Sequence, residues 1–202
     1  MIIRSLLHFI AAALFTALAA LPAASQSADK TDRLGVPGPV SFEGQNYVLA
    51  AAAHPQPNYF KQEYLPAGQG PDSYTHMFLI ETLTEGAAPN DAAASQIAML
   101  NERKAKGDPL VNHEVKFNDA TGEIFLDFLI SGSSNGQVVV EWDAYRYVPI
   151  KGEKPGVILY GISRRAYGET EGRAFLSGLK EQRPNTLKTL TSFDVPEITP
   201  KP

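Results

Sequence analysis

Glu123-Ile-Phe-Leu-Asp-Phe-Leu-Ile-Ser-Gly-Ser-Ser-Asn-Gly-Gln-Val-Val-Val-Glu-Trp-Asp-Ala-Tyr-Arg-Tyr-Val148 decides the fold. Two β-rich runs, Glu123 to Ile130 and Val138 to Val148, flank a segment of turn formers, Ser131 to Gln137, which predicts a β-hairpin. The simplest register sets Ile130 against Val138. Phe128 then meets Val140, Leu126 meets Trp142 and Ile124 meets Ala144, which makes an apolar core face with Trp142 as packing. The other face carries Glu123, Phe125, Asp127 and Leu129 beside Tyr145, Asp143, Glu141 and Val139. A slip of one residue would drive the carboxylates into the core, which is costly. The expectation is therefore a solvated patch of acids and tyrosines with Asp127 opposite Glu141, and Arg146, Arg164 and Arg165 near in sequence as counter-charges.

Working outward, Glu114 to Phe117 precedes the same hairpin across Asn118-Asp-Ala-Thr-Gly122, and Lys151-Gly-Glu-Lys-Pro-Gly156 turns the chain into another strand, Val157 to Arg165. Upstream, Val40 to Phe42 and Tyr47 to Ala53 flank Glu43-Gly-Gln-Asn46 as an opening hairpin, ended at His54-Pro-Gln-Pro57. Tyr59 to Leu65 and Tyr74 to Leu83 are further strands. Asn90 as N-cap with Asp91 in the first turn starts a helix to about Lys106, with Ala93, Ile97 and Leu100 on its apolar stripe and Gly107 and Pro109 stopping it. A second helix starts near Thr170, with Phe175, Leu176 and Leu179 inward and Pro184 kinking or dividing it. Short connections make neighbouring strands antiparallel, and helices cover the sheet. The expected class is α+β: an antiparallel sheet packed with helices as an α/β/α sandwich.

The ends read differently. Arg4 is the first charge, Leu6 to Leu21 is almost wholly apolar, Pro22 breaks the run, and Ala23-Ala-Ser25 offers small residues before a cut at Gln26. These are the three parts of a cleavable secretory signal over residues 1–25, and the run is short and alanine-rich for a permanent anchor. The expected location is periplasmic or secreted, with no stable membrane anchor after cleavage. Residues 26–39, with Leu34-Gly-Val-Pro-Gly-Pro39, read as a flexible leader, 40–193 as a single domain and the proline-rich 194–202 as a disordered tail.

Composition narrows function by exclusion. The 202-residue chain has a net charge of −4, and removing residues 1–25 takes away Arg4 and no acid, leaving −5. That is the wrong sign for nucleic acid or anionic lipid. With no cysteine there is no disulfide, thiol nucleophile or Cys-ligated metal. His54, His76 and His113 lack the spacing that puts two ligands on one face. Ser177 and Ser133 lie in no nucleophile elbow, and Gly132 to Gly136 precedes no helix that would bind phosphate. No catalytic residue, metal or cofactor is expected. What remains is the face bearing Asp127, Glu141, Asp143 and Tyr145 as a ligand-binding candidate. Tyr59, Phe60, Tyr64 and Tyr74 form a second aromatic region, read as core. The carboxylates allow an alternative reading, a periplasmic hydrolase using Asp127, Glu141 and Asp143 as acid and base.

With the hairpin at Phe42-Glu-Gly-Gln-Asn-Tyr47, the helix from Asn90 to Lys106, the meander from Ile124 to Ile162 and the closing helix from Thr170 to Leu190, the element order resembles the PsbP-like α/β/α sandwich. That resemblance covers nearly the whole mature chain and transfers no functional residue. It implies an accessory or interaction role, and the expectation is an exported, non-catalytic accessory or binding protein of the bacterial cell envelope whose partner is an envelope protein or small ligand.

Overall fold

The computed structural model describes residues 29–151 and 154–201. The expected signal peptide and the first leader residues, 26–28, lie outside the described residues. Eight strands and two helices follow in the order β1 (Val40–Phe42), β2 (Gln45–Gln56), β3 (Tyr59–Leu65), β4 (His76–Leu83), α1 (Pro89–Ala105), β5 (Asn112–Asn118), β6 (Glu123–Ser134), β7 (Gln137–Ile150), β8 (Gly156–Tyr167) and α2 (Glu169–Ser192). The strands form one antiparallel sheet in the spatial order β1-β2-β3-β4-β8-β7-β6-β5. The single crossover carries the chain from β4 in the middle, through α1, to β5 at the far edge. Among the described residues no helix is long and apolar enough to cross a membrane.

This corrects the expected class. Among the described residues the protein is mainly β, with 44% strand in one strongly curled half-barrel and only two helices, and it is not an α/β/α sandwich of the PsbP-like kind. Its strands reach 12 to 14 residues, and strands of that length accumulate right-handed twist until the sheet coils. Two irregularities in β2, after Leu49 and at Pro55, bend it further. Pro55 is tolerated because β1 pairs only with the first residues of β2, leaving that flank of the strand without a ladder to interrupt.

Both faces of the sheet are core. On one, Ala93 and Leu100 of α1 pack with Leu79, Leu126, Phe128, Ile130, Tyr145 and Tyr147. On the other, Leu179 and Leu190 of α2 pack with Phe42, Tyr64, Phe78, Trp142 and Ile162. The leader and tail close this second face instead of hanging loose, contrary to expectation. Leu34 and Val36 are buried there, and Val195 and Ile198 pack beside them. The two segments also pair: Thr199 N–H donates to Leu34 O at 2.8 Å and Lys201 N–H to Arg33 O at 2.8 Å. Gln62 holds the leader from below, its Oε1 accepting from Arg33 and Leu34 N–H while its Nε2 donates to Val36 O.

The central hairpin adopts a different register from the one expected. Its turn is the dipeptide Asn135-Gly136, with φ of 50° and 77°, and Ser134 pairs with Gln137. Two consecutive positive φ values match the right-handed twist of the flanking strands, so a two-residue Asn-Gly turn wins over a long loop. Ser131 to Ser134 therefore belong to β6, and Ile130 faces Glu141, not Val138. That shift is odd in number, so it exchanges the faces of β7 relative to β6. The opening hairpin repeats the device at Glu43-Gly44.

The helix ends differ as well. Ala88, not Asn90, is the N-cap of α1; Pro89 takes the first helical position, and the Asp91 carboxylate accepts the Ala88 N–H at 3.0 Å. Pro184 neither divides nor ends α2, which is continuous over 24 residues.

Candidate functional site

The face exchange redistributes the expected acid patch. Glu141, Asp143 and Tyr145 come together on the α1 face, all buried. Asp127 is on the opposite face. There Arg183 of α2 grips its carboxylate at 2.6 and 2.8 Å, and Trp142 Nε1 donates to it at 3.1 Å. This is a forked, bidentate ion pair that docks α2 onto the sheet. The patch is therefore not a solvated surface, and Asp127 cannot act on one substrate together with Glu141 and Asp143. The expected arginines divide their work: Arg165 pairs with Glu141, Arg164 with Glu43, and Arg146 with Glu123 while also donating to Leu190 O and Phe193 O at the end of α2.

On the α1 face, Glu141 Oε1 is heavily engaged. It accepts from Ser163 Oγ at 2.7 Å and Tyr74 Oη at 3.1 Å, and lies 3.0 Å from Arg165 Nε. The Arg165 guanidinium in turn covers the Tyr74 ring at 4.2 Å. Asp143 pairs across the ladder with Ser163 and is 2% exposed. Burial raises its pKa well above the usual carboxylate value, and the neighbouring Glu141 charge raises it further. Its Oδ2 has no hydrogen-bond partner. Burial likewise pushes the Tyr74 and Tyr145 phenols well up. Together these groups form a closed polar seam with one carboxyl of raised pKa inside it. The second aromatic region, Tyr59, Phe60, Tyr64 and Tyr74, is buried as expected of core. Among the described residues no cluster of His, Asp and Glu is arranged to hold a metal ion.

An opening exists elsewhere on the same face. Between the first turns of α1 and the sheet lies a small cleft of about 40 Å³, lined by Tyr59, Glu81, Thr82, Leu83, Ala92, Gln96, Tyr147, Val157 and Leu159. The registers explain why four strands meet there: Tyr59 faces Leu83, Leu83 faces Val157, and Glu81 faces Leu159, which faces Tyr147. Ala92, a side chain of one carbon, keeps α1 from filling the space. At one wall Tyr59 Oη donates to Glu81 Oε2 at 2.8 Å. Lys61 Nζ is 2.8 Å from Glu63 and 3.6 Å from Glu81, so one cation serves two acids. Gln96 is 3% exposed. Burial, followed by the Glu81 charge, raises the Tyr147 pKa well above the phenol value.

Sequence reasoning missed this cleft, apart from naming Tyr59. Two signals were present. Glu81 interrupts the otherwise apolar Met77-Phe-Leu-Ile80, and Gln96 lies one helical turn from Ala92 and Leu100, on the buried stripe of α1. A family model matches residues 34–195, and the chain belongs to that family, which is uncharacterised. No curated protein and no solved structure matches the chain.

Proposed function

We propose that this member of the family matched over residues 34–195 is an exported, non-catalytic accessory or binding protein of the bacterial cell envelope, working in the periplasm or outside the cell on an envelope protein or a small ligand. One observation carries the reading. Two of the three carboxylates suited to acid or base work are already held by the protein's own groups, Asp127 by Arg183 and Trp142 and Glu141 by Ser163, Tyr74 and Arg165. Export is supported by the three-part signal pattern at residues 1–25.

The test combines fractionation, native mass spectrometry and turnover. The full-length gene product should appear in the periplasmic or extracellular fraction, shortened to start near Gln26. The mature protein should carry or take up a small molecule or an envelope protein, and should show no turnover on a panel of chromogenic glycosides and esters. A product retained in the cytoplasm with Met1 attached would overturn the export half. Turnover that disappears in Glu141→Gln would overturn the non-catalytic half.

A further inference from the structure

We propose that β5 is a self-pairing edge: two copies of this chain join their β5 strands antiparallel about a two-fold axis through Val115, which merges two eight-stranded sheets into one. β5 ends the described sheet and pairs on one side only, with β6, so the N–H and C=O groups of its outer flank point away from the protein. The opposite edge is blunted. There β1 is three residues long, Asp29 O accepts the Ala52 N–H at 2.6 Å farther along β2, and Pro55 removes a donor from the same strand. β5 runs for seven residues without a proline. It also carries Phe117, which at 62% is the most exposed large apolar side chain among the described residues.

The order of residues along the strand identifies the occupant. With Val115 on the axis, positions equidistant from it meet, and directly opposed residues share a face. On the α2 face Glu114 meets the partner's Lys116, and Lys116 meets the partner's Glu114, with Asn112 against the partner's Asn118 beyond them. On the α1 face Val115, which packs at the margin of that core, meets its own image, and His113 meets the partner's Phe117, which covers the exposed ring. Neighbouring registers lose this match. An axis through Glu114 sets two acids directly opposite each other, and one through Lys116 sets two lysines so. An axis between two residues would oppose side chains of different faces, which the pleat forbids. Within one copy Lys116 Nζ lies 3.2 Å from Glu114 Oε1, with both side chains largely in water, so exchanging that contact for the partner's Glu114 costs little.

The experiment follows the mature chain by sedimentation velocity across concentration, with amide hydrogen exchange to locate the contact. A contact one strand wide is small, so a dissociation constant on the order of micromolar is expected. Exchange should slow with rising concentration, centred on Asn112–Asn118. Lys116→Glu leaves two acids at positions 114 and 116, and Glu114→Lys leaves two lysines. Each variant alone should dissociate at least about tenfold more readily, since both copies lose an attraction and gain a repulsion. Mixed in equal amounts, the two variants should form a heterodimer of wild-type affinity, because every acid then meets a lysine. Asp127 still holds Arg183 in Glu114→Lys. Should that variant not fold, Lys116→Glu and the exchange map decide. A wild-type chain that stays monomeric to about 1 mM, or a dimer indifferent to both single variants, would overturn the proposal. So would a chain that is monomeric alone yet gains the same protection with an envelope protein, which would assign the edge to a different occupant.

Discussion

Asp143 is the residue on which the chemistry of the α1 face turns. Its raised pKa, caused first by burial and then by Glu141, means the folded protein holds a proton there that the unfolded chain gives up at lower pH. Stability from such a group is greatest below the unfolded carboxyl pKa, about 3.9, and declines as pH rises from there through the folded value. Asp143→Asn removes that decline while keeping the shape. The variant should therefore melt at or above the wild-type temperature at pH 7 to 8, with the advantage shrinking toward pH 4, as followed by circular dichroism. An advantage that grows on acidification would mean the carboxylate is ionised in the fold. Asp127 is the contrasting case. Clasped by Arg183, it is a structural ion, and removing Arg183 would strand a buried charge at a cost on the order of 3 kcal/mol. Of the four residues first suspected, Glu141, Asp143 and Tyr145 were legible as neighbours because alternate positions of one strand share a face whatever the register. Their membership of the core was not legible, because acids two apart on a strand read as a solvated edge until both faces are known to be covered.

At the level of elements, the Asn135-Gly136 turn determines more than its size suggests. Gly136 has φ of 77° and open space where a Cβ would stand, so Gly136→Ala tests backbone conformation alone. It should cost about 1 kcal/mol, read as a lower urea midpoint with an unchanged m-value. Gly161 is the opposite test. A Cβ there would come within 2.9 Å of both Leu79 Cγ and Tyr145 Cδ1, so Gly161→Ala should cost about 1–3 kcal/mol by overpacking. Most strands and both helices could be read from apolar runs and turn residues. The hairpin register could not be read from face matching, because matching favoured apolar against apolar, whereas in the fold Phe128 pairs with Asp143 and Ile130 with Glu141. It could be read from the turn chemistry: Asn-Gly at the tip fixes the register by itself. The cap of α1 was misplaced for a similar local reason, since Pro89 favours the first helical position more strongly than Asn90 favours the cap.

On the scale of the whole molecule, the class was misjudged because helix count was weighed over strand length. Two helices can cover two faces of a small sheet, but eight strands of up to 14 residues curl and bury much of one another. The tail was misjudged because proline-rich composition describes local stiffness and says little about docking. Phe193, Val195 and Ile198 pack against the α2-side core, and Tyr160 Oη donates to Pro196 O at 2.9 Å. Deleting residues 194–202 should then cost about 3 kcal/mol and lower the melting temperature by roughly 6–12 °C. An unchanged melting curve would show the tail to be dispensable. Because Thr199 and Lys201 pair with Leu34 and Arg33, the two extremities of the described chain are neighbours in space. A ring could be closed between Lys201 and Asp29 with a few Gly/Ser residues and reopened at Asn135-Gly136. Such a circular permutant should still reach the native sheet, with β6 and β7 now at opposite ends of the polypeptide.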